Sequence, residues 1–141
     1  MGPVGAVITL DTSGTLALLD SKDAKHAAAL ECLEADPGPY LLPAETLGEV
    51  GYFVEAQFGH AVLDAFLADL EDGYFTLDCA TDRMARVRRL VARYKDLPLG
   101  LVDSAVIACA EANGGRVLTL DRRDFGVVAR EGTITIVPQT A

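Results

Sequence analysis

The sequence predicts an open α/β fold in which a mainly parallel, roughly five-stranded sheet lies between two layers of helices. Short apolar runs of strand length alternate along the chain with longer segments of helical periodicity. Most predicted strands are separated from the next by a helix, which supplies the crossover that parallel strands require. The length of 141 residues suits one domain with its own core, which we expect to span residues 1–141.

The first half of the chain is expected to contain three strands and four helices. The apolar run GAVITL ends at Asp11, and Thr12, Ser13 and Gly14 supply a turn and a cap for the first helix. Proline and glycine residues then mark most of the later helix ends. The predicted order is strand 5–10, helix 15–20, helix 24–35, strand 40–43, helix 44–58, helix 61–73 and strand 74–79.

The second half of the chain is expected to contain an Arg-rich helix, a buried helix and the last two strands. The Arg-rich helix lies in DRMARVRRLVARYK, and the break KDLPLG separates it from the apolar helix LVDSAVIACAEAN. Paired glycines end that second helix. RVLTL and TITIVP follow as strands, and no helix is predicted between them.

Composition argues for a globular protein outside the membrane. No apolar run approaches the roughly 20 residues that span a bilayer, and the N-terminus MGPVGAVITLD lacks the basic flank and cleavage site of a secretory signal. We therefore expect a cytoplasmic protein with no membrane partner. Cys32, Cys79 and Cys109 form no C-x-x-C pair, which favours reduced packing residues over disulfides or a zinc site.

The net charge of −9 is unevenly distributed along the chain. Residues 1–82 contain 15 acidic and two basic residues, whereas residues 83–141 contain six acidic and ten basic ones. An acidic protein is ordinarily a poor partner for nucleic acid, but arginine is well suited to contacting phosphate. Four arginines spaced by three and four residues form either the solvated face of one helix or a phosphate-facing surface: Arg83, Arg86, Arg89 and Arg93.

Two aspartates directly follow apolar strands. Asp11 ends GAVITL, and Asp121 ends VLTL. A single Asp at such a position is often only a turn residue. Ligands of open parallel sheets, however, bind at the carboxyl ends of the strands, so neighbouring strands would bring these two carboxylates together. Their repulsion would favour a hard divalent cation between them, and Mg²⁺ or Mn²⁺ is the expected ion.

Two further acids extend this pattern. Asp103 lies in the first turn of a helix that is apolar nearly all round, where it either satisfies the helix dipole or faces the same rim as the strand ends. Glu49 shares a helix face with Tyr52 and Phe53, so we expect it not to be a simple surface acid. Glu45 is the weaker candidate, because an acid is expected in the first turn of that helix for dipole reasons alone.

These four acids, in their order and spacing, resemble the PIN-domain ribonucleases, specifically the VapC-like toxins of bacterial toxin–antitoxin pairs. The motifs are ITLDTSGTLALL, LPAETLGEVGYFV, LPLGLVDSAVIACAE and VLTLDRRDF, and the resemblance in their order and spacing covers essentially the whole chain. The resemblance implies a PIN-like α/β/α sandwich and a Mg²⁺- or Mn²⁺-dependent endoribonuclease. It implies a catalytic set of Asp11, Glu49, Asp103 and Asp121, in which Asp11 and Asp103 are the metal ligands.

The resemblance also implies partners and products. It implies an RNA substrate cut to leave a 5′-phosphate and a 3′-hydroxyl, a cognate antitoxin that inhibits the enzyme, and a homodimer. Arg122 and Arg123 are our candidates for phosphate contacts, although both could be surface charges. Ser13 either supports Asp11 or caps the helix. Asp124 departs from the family pattern, since His is often expected at that position.

Two alternatives remain open from the residues. LDTSGT is similar to the nucleophile loop of haloacid-dehalogenase-type phosphotransferases, which would make Asp11 a covalent nucleophile, but the paired-acid loop of that class is not evident. A catalytically inactive PIN fold that only binds proteins is the second alternative. His26 and His60 lie far from the acids in sequence, which disfavours a ribonuclease mechanism based on a histidine pair.

Overall fold

The computed structural model describes residues 7–139, which form five strands and seven helices. Gly5 and Ala6, the start of the first predicted strand, lie outside the described residues. The elements are β1 Ile8–Leu10, α1 Thr12–Leu19, α2 His26–Glu34, β2 Tyr40–Pro43, α3 Ala44–Gln57, α4 His60–Glu71, β3 Thr76–Asp78, α5 Met84–Arg93, α6 Gly100–Ala112, β4 Arg116–Leu118, α7 Asp124–Ala129 and β5 Thr135–Val137. No helix within residues 7–139 is long and apolar enough to cross a bilayer.

The five strands form one fully parallel sheet in the order β3-β2-β1-β4-β5. Strand β1 is central, and its residues Thr9 and Leu10 pair with Val117 and Leu118 of β4. The chain runs outward from β1 in one direction through β2 and β3, and then returns to the other side of β1 with β4. The carboxyl ends of β1 and β4 therefore lie side by side where the strand order reverses, which is the usual ligand position in such sheets.

Two apolar clusters cover the two faces of the sheet, which confirms the predicted three-layer α/β/α architecture. One cluster packs helices α1 to α4 against residues such as Ile8, Leu10 and Leu42. The other packs α5, α6 and α7 around residues such as Val117 and Phe125. The parallel sheet is hence covered by helices on both faces, as its apolar strands require.

Helix α6 is the most deeply buried helix. Its residues 104–110 are all buried, and most have small side chains. Small side chains let this helix approach both α5 and the central strands closely. Asp103 lies just before this buried run, in the first turn, so the packing of α6 fixes its position.

Helix α1 lies directly on strand β4. An ideal Cβ added to Gly14 would lie 2.3 Å from the carbonyl oxygen of Leu118, which is far inside van der Waals contact. Only glycine allows this approach. The close contact brings the start of α1, and with it Asp11, against the end of β4.

Helix α7 was absent from the predicted elements. The sheet is parallel between β4 and β5, so a crossover is required there, and residues 124–129 supply it. Phe125 and Val128 of this helix are fully buried. The helix is only six residues long and contains Gly126, so it offers too little periodicity to be recognised in sequence.

The arginines of the α5 region are not simply a solvated face. Arg83 donates to both carboxylate oxygens of Asp78 at 2.8 and 3.3 Å, and Arg86 donates to both oxygens of Glu111 at 2.7 and 2.8 Å. Arg93 pairs with Glu131. Of the four arginines assigned to the predicted helix face, only Arg89 is exposed and makes no ion pair among the described residues. These pairs use side chains from β3, α6 and the chain after α7, which the sequence did not show to be neighbours.

Candidate active site

Asp11 follows β1 directly and is only 4% exposed. Its Oδ1 accepts a hydrogen bond of 2.7 Å from the backbone N–H of Gly14, so Asp11 itself is the cap of α1. The prediction that Thr12, Ser13 and Gly14 supply the cap is therefore wrong for the side chains of Thr12 and Ser13. The same residue also lies at the junction of β1 and β4, where its backbone N–H donates to the carbonyl of Leu118.

Ser13 supports Asp11 rather than capping the helix. Its hydroxyl lies 2.9 Å from Oδ1 and 3.1 Å from Oδ2 of Asp11 and donates to this carboxylate. The same hydroxyl accepts a hydrogen bond of 2.9 Å from the backbone N–H of Leu120, in the segment after β4. Ser13 therefore joins the start of α1 to the end of β4.

Thr119 is a contact that sequence reasoning missed. It is fully buried directly after β4, and its hydroxyl donates to Oδ2 of Asp11 over 2.5 Å. It also accepts a hydrogen bond of 2.9 Å from the backbone N–H of Asp121. The only signal in sequence is a hydroxyl residue two places before a strand-end acid, which is too common to be specific.

Burial makes Asp11 costly to ionise. Removal from water raises the pKa of Asp11 to about 6, although hydrogen bonds from Thr119, Gly14 and Ser13 favour its charged form. The negative charge of Asp121 adds to the rise. A carboxylate held in this way would be stabilised by a cation at the same rim.

Asp103 stands at the centre of the acidic cluster. Partial burial raises its pKa to about 7, and the charge of Asp11 is the largest further cause, followed by those of Asp121, Glu49 and Asp124. All four predicted acids therefore share one electrostatic field, although they come from four different segments of the chain. The fold brings them together at the end of β1 and β4.

Three acids of the cluster, of which two belong to the predicted set, are close enough to bind one ion. Asp103, Asp121 and Asp124 each offer a carboxylate oxygen, and these oxygens lie within 4.8 Å of one another. The backbone N–H of Asp124 also donates to Oδ1 of Asp121 at 3.1 Å. Oxygen ligands at this spacing suit a hard divalent cation, whose ligands lie about 2.0–2.6 Å from the metal. The donor chemistry therefore fits Mg²⁺ or Mn²⁺.

The membership of this group differs from the predicted ligand pair. Asp124 belongs to it, although the sequence marked Asp124 only as a departure from the family pattern. Its position follows from α7, which begins at Asp124 and lies one turn past Asp121. Asp11 belongs to no such group within residues 7–139, so its role as a metal ligand stays a prediction. Ser13, Thr119 and Gly14 together donate three hydrogen bonds to its carboxylate, which leaves about one of its roughly four lone pairs for a cation.

Glu49 lies on the surface, contrary to the expectation that it is not a simple surface acid. Its side chain is exposed, and the neighbouring aromatics are too, with Tyr52 72% and Phe53 38% exposed. Helix α3 instead buries Val50 and Val54, one turn apart, so the face with Glu49 points away from the core. The negative charge of Glu49 nevertheless contributes to the raised pKa of Asp103.

The two arginines after Asp121 differ from each other. Both side chains are exposed. Arg122 donates to the backbone carbonyl of Pro138, beyond β5. Arg123 makes no ion pair among residues 7–139 and is the less constrained of the two. Their predicted phosphate contacts stay predictions.

A three-layer parallel fold with an acidic cluster where its strand order reverses defines an α/β protein with a candidate cation site. The sequence profile of the PIN domain matches residues 8–131, and the chain belongs to the PIN-domain family. The resemblance to VapC-like members is confirmed. The chain is 30% identical over 133 residues to Ribonuclease VapC26 of Mycobacterium tuberculosis, an alignment that covers 92% of this chain and 98% of that protein.

Solved structures share this fold. VapC20 of Mycobacterium tuberculosis, described as a toxin that cleaves the sarcin–ricin loop, superimposes with a TM-score of 0.73 at 20% identity, over 85% of this chain and 94% of that one. VapBC2 of Rickettsia felis, bound to promoter DNA, matches with a TM-score of 0.67 at 16% identity, over 92% and 96% of the two chains. DNA-bound VapBC of Salmonella typhimurium matches with a TM-score of 0.63 at 21% identity, over 92% and 95%. The PIN-domain match replaces the haloacid-dehalogenase interpretation of LDTSGT.

Proposed function

We propose that this chain is a Mg²⁺- or Mn²⁺-dependent endoribonuclease and the toxin of a toxin–antitoxin pair. The observation that carries this proposal is the convergence of Asp11, Asp103 and Asp121, with Glu49 at the rim, on one edge of a PIN-domain sheet. Ribonuclease VapC26 and the VapC20 toxin, which resemble this chain, support it.

The acidic cluster would act as the cation site. Asp103 and Asp121 would hold the ion, with Asp124 as the third oxygen donor of the compact group. Asp11 lies beside Asp103 and would complete the site. Bound Mg²⁺ or Mn²⁺ supplies positive charge for the phosphoryl oxygens of RNA and a water molecule of lowered pKa.

The side chains of the protein have separate tasks in this mechanism. Asp11 accepts hydrogen bonds from Ser13, Thr119 and Gly14, which would keep its carboxylate in one orientation during the reaction. Glu49 is exposed at the rim, where it would orient the attacking water or accept its proton. Arg123 would contact a phosphate of the RNA backbone. The products would carry a 5′-phosphate and a 3′-hydroxyl.

The partners follow from the same assignment. Structures of VapBC, which resemble this chain, contain toxin and antitoxin together, and we propose a cognate antitoxin for this chain as well. A basic antitoxin side chain placed among these carboxylates would compete with both metal and RNA. We also propose a cytoplasmic homodimer, in line with the family resemblance.

The decisive experiment is cleavage of labelled total RNA by the purified protein with Mg²⁺, with Mn²⁺ and with EDTA. Asp11→Asn and Asp103→Asn should abolish discrete cleavage, because each removes charge from the cation site. Asp64→Asn is the matched control, since Asp64 is an exposed acid on α4 outside the cluster. Metal-independent cleavage, or equal cleavage by all three variants, would reject this assignment. No cleavage by folded, metal-loaded wild type would favour the protein-binding module.

A further inference from the structure

We infer that the hydroxyl of Thr119 is a positioning group that aligns the two strand-end acids of the active site. The inference rests on the proposed function, because it concerns the same cation site. Thr119 is 0% exposed, so it cannot contact RNA. Its hydroxyl instead contacts Asp11 on one side and the backbone of Asp121 on the other.

The direction of each hydrogen bond follows from the groups involved. An ionised carboxylate only accepts, so the single hydroxyl proton of Thr119 is donated to Oδ2 of Asp11, over 2.5 Å. The backbone N–H of Asp121 only donates, so it fills a lone pair of the same hydroxyl at 2.9 Å. One oxygen atom thus ties the acid after β1 to the acid after β4.

A second hydroxyl repeats this arrangement. Ser13 donates to Asp11 and accepts from the backbone N–H of Leu120, and its oxygen lies 3.3 Å from that of Thr119. Two successive amides after β4 therefore reach the Asp11 carboxylate through two hydroxyl groups. Hydrogen bonds aligned in one direction strengthen each other, and this favours a rigid site.

The backbone of Thr119 is itself fixed. Its N–H donates to the carbonyl of Val137 in β5 over 3.3 Å, which continues the pairing of β4 with β5. The side chain is thereby anchored to the sheet, and the acids are anchored to the side chain. Loss of the hydroxyl would leave the part-buried N–H of Asp121 without this acceptor and would remove the hydrogen bond to Asp11 Oδ2.

The test measures Mn²⁺ binding by isothermal titration calorimetry with Mn²⁺ alone. Thr119→Val replaces the hydroxyl with a methyl group of similar shape, and it should weaken Mn²⁺ binding by about tenfold or more. Thr119→Ser keeps the hydroxyl and should bind Mn²⁺ nearly as the wild type does. At saturating Mn²⁺ the KM for RNA should not change in Thr119→Val, because the side chain is buried, while kcat falls.

Thr9→Val is the matched control for a purely structural effect. Thr9 is 1% exposed on β1, and its hydroxyl lies near Cys109 Sγ at 3.9 Å rather than near an acid. It should affect Tm but leave Mn²⁺ affinity unchanged. If Thr119→Val does not fold, Thr119→Ala and Thr119→Ser replace it as the comparison, because these two side chains differ only by the hydroxyl.

The outcomes separate this inference from the proposed function. Wild-type affinity in Thr119→Val or Thr119→Ala, or equal weakening in Thr119→Ser and Thr119→Ala, overturns the positioning role. A wild-type protein that binds no Mn²⁺ also overturns it. If the wild type binds Mn²⁺ but cleaves no RNA, the proposed function fails, and the calorimetric comparison still decides the role of Thr119.

Discussion

Among single residues, the acids of the site lower the free energy of unfolding of the metal-free protein. Burial and mutual repulsion raise the pKa of Asp11 to about 6 and that of Asp103 to about 7. Carboxyl groups with perturbed pKa values are concentrated at functional sites, where a bound cation would relieve their mutual repulsion. The metal-free protein should therefore be less stable near neutral pH than its core alone would allow.

Asp103→Asn should stabilise the metal-free protein while abolishing RNA cleavage. The substitution removes a charge that Asp11 and Asp121 repel. Because Asp103 is only partly buried and solvent screens its charge, we expect a gain of about 1 kcal/mol. Thermal unfolding in EDTA should show a Tm about 2–4 °C above the wild type. An equal or lower Tm would mean that Asp103 is not under repulsion.

The stability of the metal-free protein should also depend on pH with a definite sign. Folded Asp11 and Asp103 hold protons up to about pH 6 and 7, whereas unfolded aspartate releases its proton near 3.8. Between these values the folded state binds more protons, so stability should rise as pH falls from about 7 towards about 5. Urea unfolding across this range checks the sign. Asp103→Asn should flatten the profile, and a steeper profile in that variant would contradict the assignment.

Metal binding should show the opposite response to pH. Carboxylates must lose their protons to bind a cation, so Mn²⁺ affinity should fall as pH drops below about 7, where Asp103 becomes protonated. Calorimetry in two buffers of different ionisation enthalpy would show proton release on binding. A Mn²⁺ affinity that does not change with pH, together with a binding heat that does not change between the buffers, would argue against Asp103 as a ligand.

At the scale of elements, the site depends on how closely α1 approaches β4. Gly14 lies where any side chain would meet the carbonyl of Leu118, and Ser13 and Thr119 make their hydrogen bonds to Asp11 across this contact. The two elements come from opposite ends of the sequence. Their packing therefore decides whether the acids of β1 and β4 can act together.

Gly14→Ala should destabilise the protein by about 1–3 kcal/mol and reduce cleavage. The added Cβ would overlap the Leu118 carbonyl and push α1 away from β4. Gly48→Ala is the matched control, because a Cβ at Gly48 in α3 meets nothing within 4 Å and should stabilise the helix by about 0.5–1 kcal/mol. Urea unfolding of both variants gives the comparison. Equal stability of the two would show that the contact is not tight.

At the scale of the whole molecule, charge separates the chain into two regions. Residues 1–82 have a net charge of −13 and residues 83–141 a net charge of +4. Much of the positive charge on and just before α5 is used in pairs with Asp78, Glu111 and Glu131, so it is less available to RNA than the sequence indicates. Exposed arginines near the site, above all Arg123, are then the stronger candidates for RNA contact.

Arg123→Ala should weaken RNA binding similarly for different RNA sequences. Loss of one phosphate contact should raise KM and reduce the slope of its salt dependence by about one. Arg88→Ala is the matched control, since Arg88 is an exposed arginine on α5. Single-turnover cleavage at several salt concentrations measures both variants. A larger change in KM and in its salt dependence for Arg88→Ala than for Arg123→Ala would indicate that the RNA binds along α5.

The sequence was sufficient to predict the fold class, the order of the strands along the chain and the family. Apolar runs that end in acids are local features, and periodicity shows them directly. Asp11, Asp103 and Asp121 could therefore be selected without a structure. The short helix α7 could not be recognised, because its six residues carry little pattern of their own and its burial depends on α6 and β4.

The contacts between these residues could be established from the three-dimensional fold alone. It placed Asp124 within reach of Asp103 and Asp121, exposed the face of α3 that carries Glu49, and linked Thr119 to Asp11 across 108 positions of sequence. The physical reason is the same in each case. Burial, ion pairing and hydrogen bonding depend on which segments, distant in sequence, become neighbours in the fold. A local pattern of residues contains no information about which segments those are.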